Sequence, residues 1–233
     1  MNLSYELNFA LALAPALLML VAALLTWRGR FPLREMWRRF NALSFIALAF
    51  SLAGLIAELV LVSMHGAMKP VTDGWLSTNP FSAWVSLLVQ LLGAVIGTYS
   101  SKHLNGELRQ PVYMVALAAV LAAVHLLLLA NHWIVLIAAW AVIQYAMHFL
   151  LCFYDDRPFA LLAAHKKRVT DRAADVLLVV AASLAWSQVG SGSFSDLWAY
   201  IAAGHASATL AWSGVCLALA VIARTALMPV HGW

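Results

Sequence analysis

Four ionisable side chains sit inside stretches that are otherwise apolar: Glu58 in "SLAGLIAELVLVSM", His125 in "LAAVHLLLLA", His148 in "QYAMHFLLCFY" and Arg224 in "ALAVIARTALMPVHGW". A charge at membrane depth costs roughly 2.5–3.5 kcal/mol on insertion scales and by default marks a functional site. A carboxylate and an imidazole can take up and release protons, whereas arginine keeps its proton and can act only as a fixed positive charge. Gln144 lies four residues before His148, on the same helix face, so the two form a polar pair suited to line a wet path. Pro229 follows Arg224 by five residues. Proline removes a backbone donor and clashes with the carbonyl one turn back, so the helix should kink or break just after Arg224. Broken helices at membrane depth line cavities and mark ion sites. The chemistry these residues suggest is proton or cation handling inside a membrane. Three of them also have a plainer reading: Glu58, about 24 Å along its helix at 1.5 Å per residue, as a carboxylate near headgroup level; His125 as a hydrogen-bonded packing residue; Arg224 as a snorkelling side chain.

The elements that must hold them are helices. Of 233 residues, 64% are hydrophobic and 10% charged, against about 25% charged in a soluble domain. Apolar runs long enough to span a bilayer recur along the chain, and they are Ala- and Leu-rich without period-two alternation. The class is all-α, a polytopic transmembrane helical bundle, and strands are not expected. Seven spans are predicted, at about 6–27, 42–64, 81–101, 111–130, 132–154, 173–189 and 207–231, forming one membrane domain over 1–233. A short interfacial helix is expected around Leu197–Ala203, and turns in "HGAMKPVTDGWLSTNP". Twelve lysines and arginines fall in the gaps after the first, third and fifth spans, and only Lys69 in the alternate gaps. The positive-inside rule then places the N-terminus outside and those three gaps in the cytoplasm. The formal charge of +4 reflects this topology and gives no water-facing patch for nucleic acid. Cys152 and Cys216 lie in apolar segments and read as core residues, with no metal-binding spacing. No cofactor is expected.

Spans three to seven resemble the proton-conducting antiporter-like family, which includes large membrane subunits of respiratory complex I (subunit 5 type) and of multisubunit sodium/proton antiporters. The resemblance is carried by "YSSKHLNGE", "LANHWIVLIAAWAVIQYAMHFLLCFY", "KKRVTDRAAD" and "ARTALMPVHGW", in order and at the right spacing over residues 81–233. It aligns Lys166, Arg172, Asp175, Arg224, Pro229 and Trp233 with family positions. It departs where the family's helix-five glutamate falls on Ala141, beside Trp140, and where its helix-seven lysine falls on Arg224. Alanine carries no proton and arginine releases none, so the family's glutamate–lysine switch cannot run here unmodified. "FLLCFYDDRPFALLAAHKKRVTDRAAD" is similar to one branch, the membrane B subunits of the DAB inorganic-carbon accumulation complexes.

The resemblance implies a multi-pass bacterial inner-membrane subunit, not itself an enzyme, that passes protons, or alternatively sodium, to energise bicarbonate or CO2 uptake. It implies membrane lipid and a large zinc-containing DabA-like subunit as partners. Gln144, His148, His125 and Glu58 would line the ion pathway with Arg224 as countercharge, and Lys166, Arg172 and Asp175 would sit at the cytoplasmic mouth and a helix start. The alternatives are a proton-pumping membrane arm of an NADH- or formate-linked redox complex, a cation/proton antiporter, and a docking platform without conduction. Family members have about fourteen helices, so the chain is expected to be the N-terminal part of a larger subunit.

Overall fold

The computed structural model describes residues 3–29, 31–65, 71–154 and 156–225. Among these, eight helices run α1 Leu3–Trp27, α2 Leu33–His65, α3 Pro80–His103, α4 Gln110–Leu129, α5 Trp133–Leu151, α6 Pro158–Val189, α7 Phe194–Ala202 and α8 Ala208–Arg224. Their ends follow local chemistry. At the start of α3 the Asn79 side chain accepts the Ser82 N–H at 2.8 Å and Ser82 Oγ accepts the Asn79 N–H at 3.2 Å, a reciprocal cap with Pro80 in the first turn. α6 stops at Gly190, whose φ of 74° is left-handed and costs glycine nothing.

Helices α1 to α5 are long and apolar enough to cross a membrane, and α8 is a shorter apolar helix. Two helices begin earlier than their apolar runs. α2 starts at Leu33 and α6 at Pro158, because the basic segments before them are rich in good helix formers and α6 has proline in its first turn. The expected interfacial helix is α7. The expected seventh span is described only as far as Thr225, so the break predicted at Pro229 lies outside the described residues.

One element was not expected. Residues Val71–Asp73 (β1) and Leu76–Thr78 (β2) pair antiparallel across a two-residue turn at Gly74–Trp75. Gly74 has φ 59°, which such hairpin turns favour. The exclusion of strands came from long apolar runs and does not reach strands of three residues.

The helices pack around two apolar cores, and α5 lies between them, against α4 as well as α6. In the first, Met19, Met36, Phe40, Met114 and Ala118 form a buried core joining α1, α2 and α4. α3 joins it through a narrow face of Gly93, Ala94, Gly97 and Ser100, the small-residue packing that lets membrane helices approach closely. A Cβ on Gly97 would lie 2.6 Å from Phe40 Cε1 and 3.0 Å from Asn41 Oδ1. Gly97→Ala should therefore cost about 1–3 kcal/mol of overpacking, more than the roughly 1 kcal/mol it gains in helix propensity. Thermal unfolding in detergent should show a lower midpoint, and an unchanged or raised midpoint would contradict this packing.

In the second unit, α6 presents Ala174, Leu178, Ala181, Ala182 and Ala185 to Trp133 of α5 and Ala220 of α8, and Ser213 Oγ donates to the Ala181 carbonyl at 2.7 Å. The short α4–α5 turn ties the units at one end. Asn131 N–H donates to the Trp75 carbonyl at 2.9 Å and its carbonyl accepts from Phe194 N–H at 2.8 Å, while His132 stacks on Trp75 with ring centroids 4.7 Å apart. At the opposite end Trp37 Nε1 donates to Gln110 Oε1 at 2.8 Å and Arg109 reaches the Cys152 carbonyl at 3.3 Å.

Candidate functional site

Arg224 is the last residue of α8, and the descent of that helix along α6 sets its position. Ala220, one turn earlier, is buried against the alanine stripe of α6. This aims the guanidinium at Asp175, which lies on α6 beside Ala174 and one turn before Leu178. The Arg224 side chain is 7% exposed and donates from Nη2 to Asp175 Oδ1. The same oxygen accepts from Gln144 Nε2 of α5 at 2.9 Å. The guanidinium carbon stands 4.3 Å from the Trp140 ring centroid, a cation–π contact that stabilises a desolvated charge. Three helices thus converge on one carboxylate. Two further Arg224 nitrogens, Nε and Nη1, are buried without a hydrogen-bond partner.

Next to this pair, between α5 and α6, opens a cavity of about 410 Å³ lined by Gln144, His148, Lys167, Asp171, Arg172 and Asp175, with Ala141 in its wall. Lys167 and Asp171 are both buried, at 8% and 7% exposure, and their charged ends lie 2.5 Å apart. A buried pair of this kind is weak evidence for stability, because desolvation offsets most of its attraction. Asp171 and Asp175 are one turn apart on the cavity wall, so two adjacent carboxylates are flanked by Lys167 on one side and Arg224 on the other. His148 ring nitrogens lie 3.8–3.9 Å from Cys152 Sγ. Arg172, with its side chain 73% exposed, stands 3.7 Å from Asp175 Oδ2, a surface pair of little energetic weight.

The structure brings Arg224, Gln144, His148 and Asp175 to this one region, and corrects three details. Asp175 is the partner of Arg224, seventeen residues inside α6 and not at a helix start, because α6 begins at Pro158. Lys166 is exposed while Lys167 is buried. The helical period explains this: Ala164, Lys167, Asp171, Ala174 and Leu178 share the buried stripe, and Lys166 is about 100° away from it. Glu58 and His125 belong to the first unit and form a second cluster. Glu58 is 2% exposed and accepts from Asn8 Nδ2, so its setting is protein and not headgroups. His125 is 1% exposed, with Nε2 2.9 Å from Gln90 Oε1 and Nδ1 2.9 Å from Ser86 Oγ. The sequence pattern alone does not single out Asn8, Ser86, Gln90, Lys167 and Asp171 as site residues. The readable signal for the last two was their spacing of four on the apolar stripe of α6.

Residues 130–233 match the family model described as NADH:quinone oxidoreductase/Mrp antiporter, transmembrane. The chain is 30% identical to the probable inorganic carbon transporter subunit DabB2 of Halothiobacillus neapolitanus, over 99% of this chain and 43% of that protein. It belongs to the antiporter-like family of membrane subunits. Other members it resembles are the probable inorganic carbon transporter subunit DabB of Hydrogenovibrio crunogenus, 30% identical over 81% of this chain and 37% of that one, and NADH-quinone oxidoreductase subunit L of Mycobacterium tuberculosis, 27% identical over 69% and 25%. The fold matches a chain of respiratory complex I from Thermus thermophilus with a TM-score of 0.73 at 18% identity, over 94% of this chain and 45% of that one. The chain therefore spans less than half the length of these relatives.

Within the family frame, the position where the resemblance expects a glutamate is Ala141, which lines the same cavity as Asp175. The carboxylate that faces the α8 cation comes instead from α6.

Proposed function

We propose that the chain is the part of a membrane subunit through which protons pass to energise inorganic carbon uptake in a DAB-type complex of the bacterial inner membrane. The observation that carries this reading is the Arg224–Asp175–Gln144 junction at the head of a polar cavity. Arg224 is a fixed positive charge held against Asp175, and a change in that contact would alter the field a proton meets at the cavity. Lys167, Asp171 and His148 supply further exchangeable sites along the cavity wall. The basic segments 28–41, 102–110 and 155–172, partly helical in α2 and α6, would face the cytoplasm and the N-terminus the outside. A large zinc-containing subunit would carry the carbonate chemistry, and sodium remains the alternative coupling ion.

Two measurements test the reading. With the complete subunit and its partner expressed in a carbonic-anhydrase-deficient host, Arg224→Ala is expected to abolish growth rescue in air while leaving the protein in the membrane. Full rescue at normal expression would contradict the role of Arg224. The second reading, a membrane arm of a redox complex, is favoured by the complex I fold match. Co-purification separates the two: a zinc-containing partner supports uptake, and flavin or iron–sulfur subunits support the redox arm.

A further inference from the structure

The first helical unit contains a second polar cavity whose chemistry the proton path does not use. It holds about 20 Å³ and is lined by Glu58, Ser51, Thr78, Asn8, Ser86 and His125, among others. About 10–15 Å³ is the least volume that takes one water-sized occupant, so this space takes one small, dehydrated species. Three oxygens on its wall are buried with no hydrogen-bond partner: Glu58 Oε1, Ser51 Oγ and Thr78 Oγ1. Their residues are 2%, 4% and 2% exposed. Orphaned buried polar atoms are rare, and each calls for an explanation such as an ion or a water.

Charge chooses between those. Glu58 Oε2 accepts from the neutral Asn8 amide, and among the described residues no lysine or arginine lines the cavity. His125 makes no hydrogen bond to Glu58. Gln90 Nε2 donates to the Ser44 carbonyl at 3.0 Å, which leaves Gln90 Oε1 as the acceptor from His125 Nε2–H. His125 Nδ1 lies 2.9 Å from the Ser86 hydroxyl, so both ring nitrogens are engaged away from the carboxylate. A buried carboxylate is costly unless it meets a cation or takes up a proton. A water or a compact cation would satisfy the three orphaned oxygens, and only the cation also balances an ionised carboxylate. Among the described residues no three His, Cys, Asp or Glu side chains gather to hold a metal ion, and a single carboxylate with two hydroxyls balances one positive charge, not two. Hard cations take such oxygen ligands.

We propose that this cavity binds one dehydrated sodium-sized monovalent cation through Glu58 Oε1, Ser51 Oγ and Thr78 Oγ1. The site ties α2 to the β2 strand and lies beside the α3–α4 contact, so occupancy stabilises the first unit. It is independent of the Arg224 reading.

The test is thermal unfolding of the full-length subunit in detergent, with NaCl exchanged for choline chloride at constant ionic strength. The expected result is a saturable rise in midpoint with Na+, of about 5–10 °C at a hundredfold excess over Kd. Glu58→Gln is expected to remove the rise. Ser51→Ala and Thr78→Val each keep the carboxylate and should raise the Na+ concentration needed about tenfold, which holds the test open if Glu58→Gln fails to fold. Superimposed curves in Na+ and choline would overturn the site and leave water as the occupant. An equal Na+ response in all three variants would place the effect elsewhere in the protein. Neither result bears on Arg224.

Discussion

Asp175→Asn is expected to cut transport-dependent growth at least tenfold while Asp175→Glu retains part of it. Asparagine preserves the size and one acceptor oxygen for Arg224 and Gln144, so the cavity geometry survives, but the amide carries neither a proton nor a charge. The change also leaves the guanidinium, 7% exposed, without an ionic partner. Stranding one member of a buried pair typically costs about 3–5 kcal/mol. The exposure of Asp175, 28% at its side chain, places the cost at or below the lower end of that range. Membrane protein level and unfolding midpoint must therefore be measured beside growth. A variant that folds as well as the wild type and transports as well as it does would remove Asp175 from the mechanism.

The second large effect concerns Lys167 and Asp171. Lys167→Met leaves the Asp171 carboxylate buried, and the variant should unfold at a clearly lower temperature, by about 3–5 kcal/mol of stability. Adding Asp171→Leu should restore most of that stability, because replacing both charges with apolar groups of similar size is often neutral or stabilising. If the pair belongs to the ion path, the double variant stays inactive despite its recovered midpoint. Recovery of activity together with stability would assign the pair to folding alone. The double variant thus separates a structural from a functional role, which neither single change can do.

The membrane class and the helix order were legible because apolar runs of bilayer length leave little choice of structure. Arg224 and its burial were legible for the same reason: a lone charge in such a run has to meet a partner. The partner itself was harder. Asp175 stands in a segment that also carries Lys166, Lys167, Arg168, Asp171 and Arg172, which reads as an anchoring loop until the helix is known to start at Pro158. Once it is helical, the period of 3.6 sends Lys167 and Asp171 inward and Lys166 outward. The Glu58 cluster was half legible. The carboxylate and His125 could be singled out, but Asn8, Ser51, Ser86 and Gln90 are isolated polar residues in apolar helices, and only the packing shows that they meet. The hairpin at Val71–Thr78 was hidden in a short turn-rich segment where three-residue strands leave no periodic trace.

The central claim is that protons cross this region through the carboxylate held by Arg224. The most direct measurement is proton flux into proteoliposomes containing the complete subunit with its partner, followed with an entrapped pH indicator under an imposed potential. The account predicts flux for the wild type and background rates for both Asp175→Asn and Arg224→Ala at equal protein incorporation. Wild-type flux in both variants would contradict it.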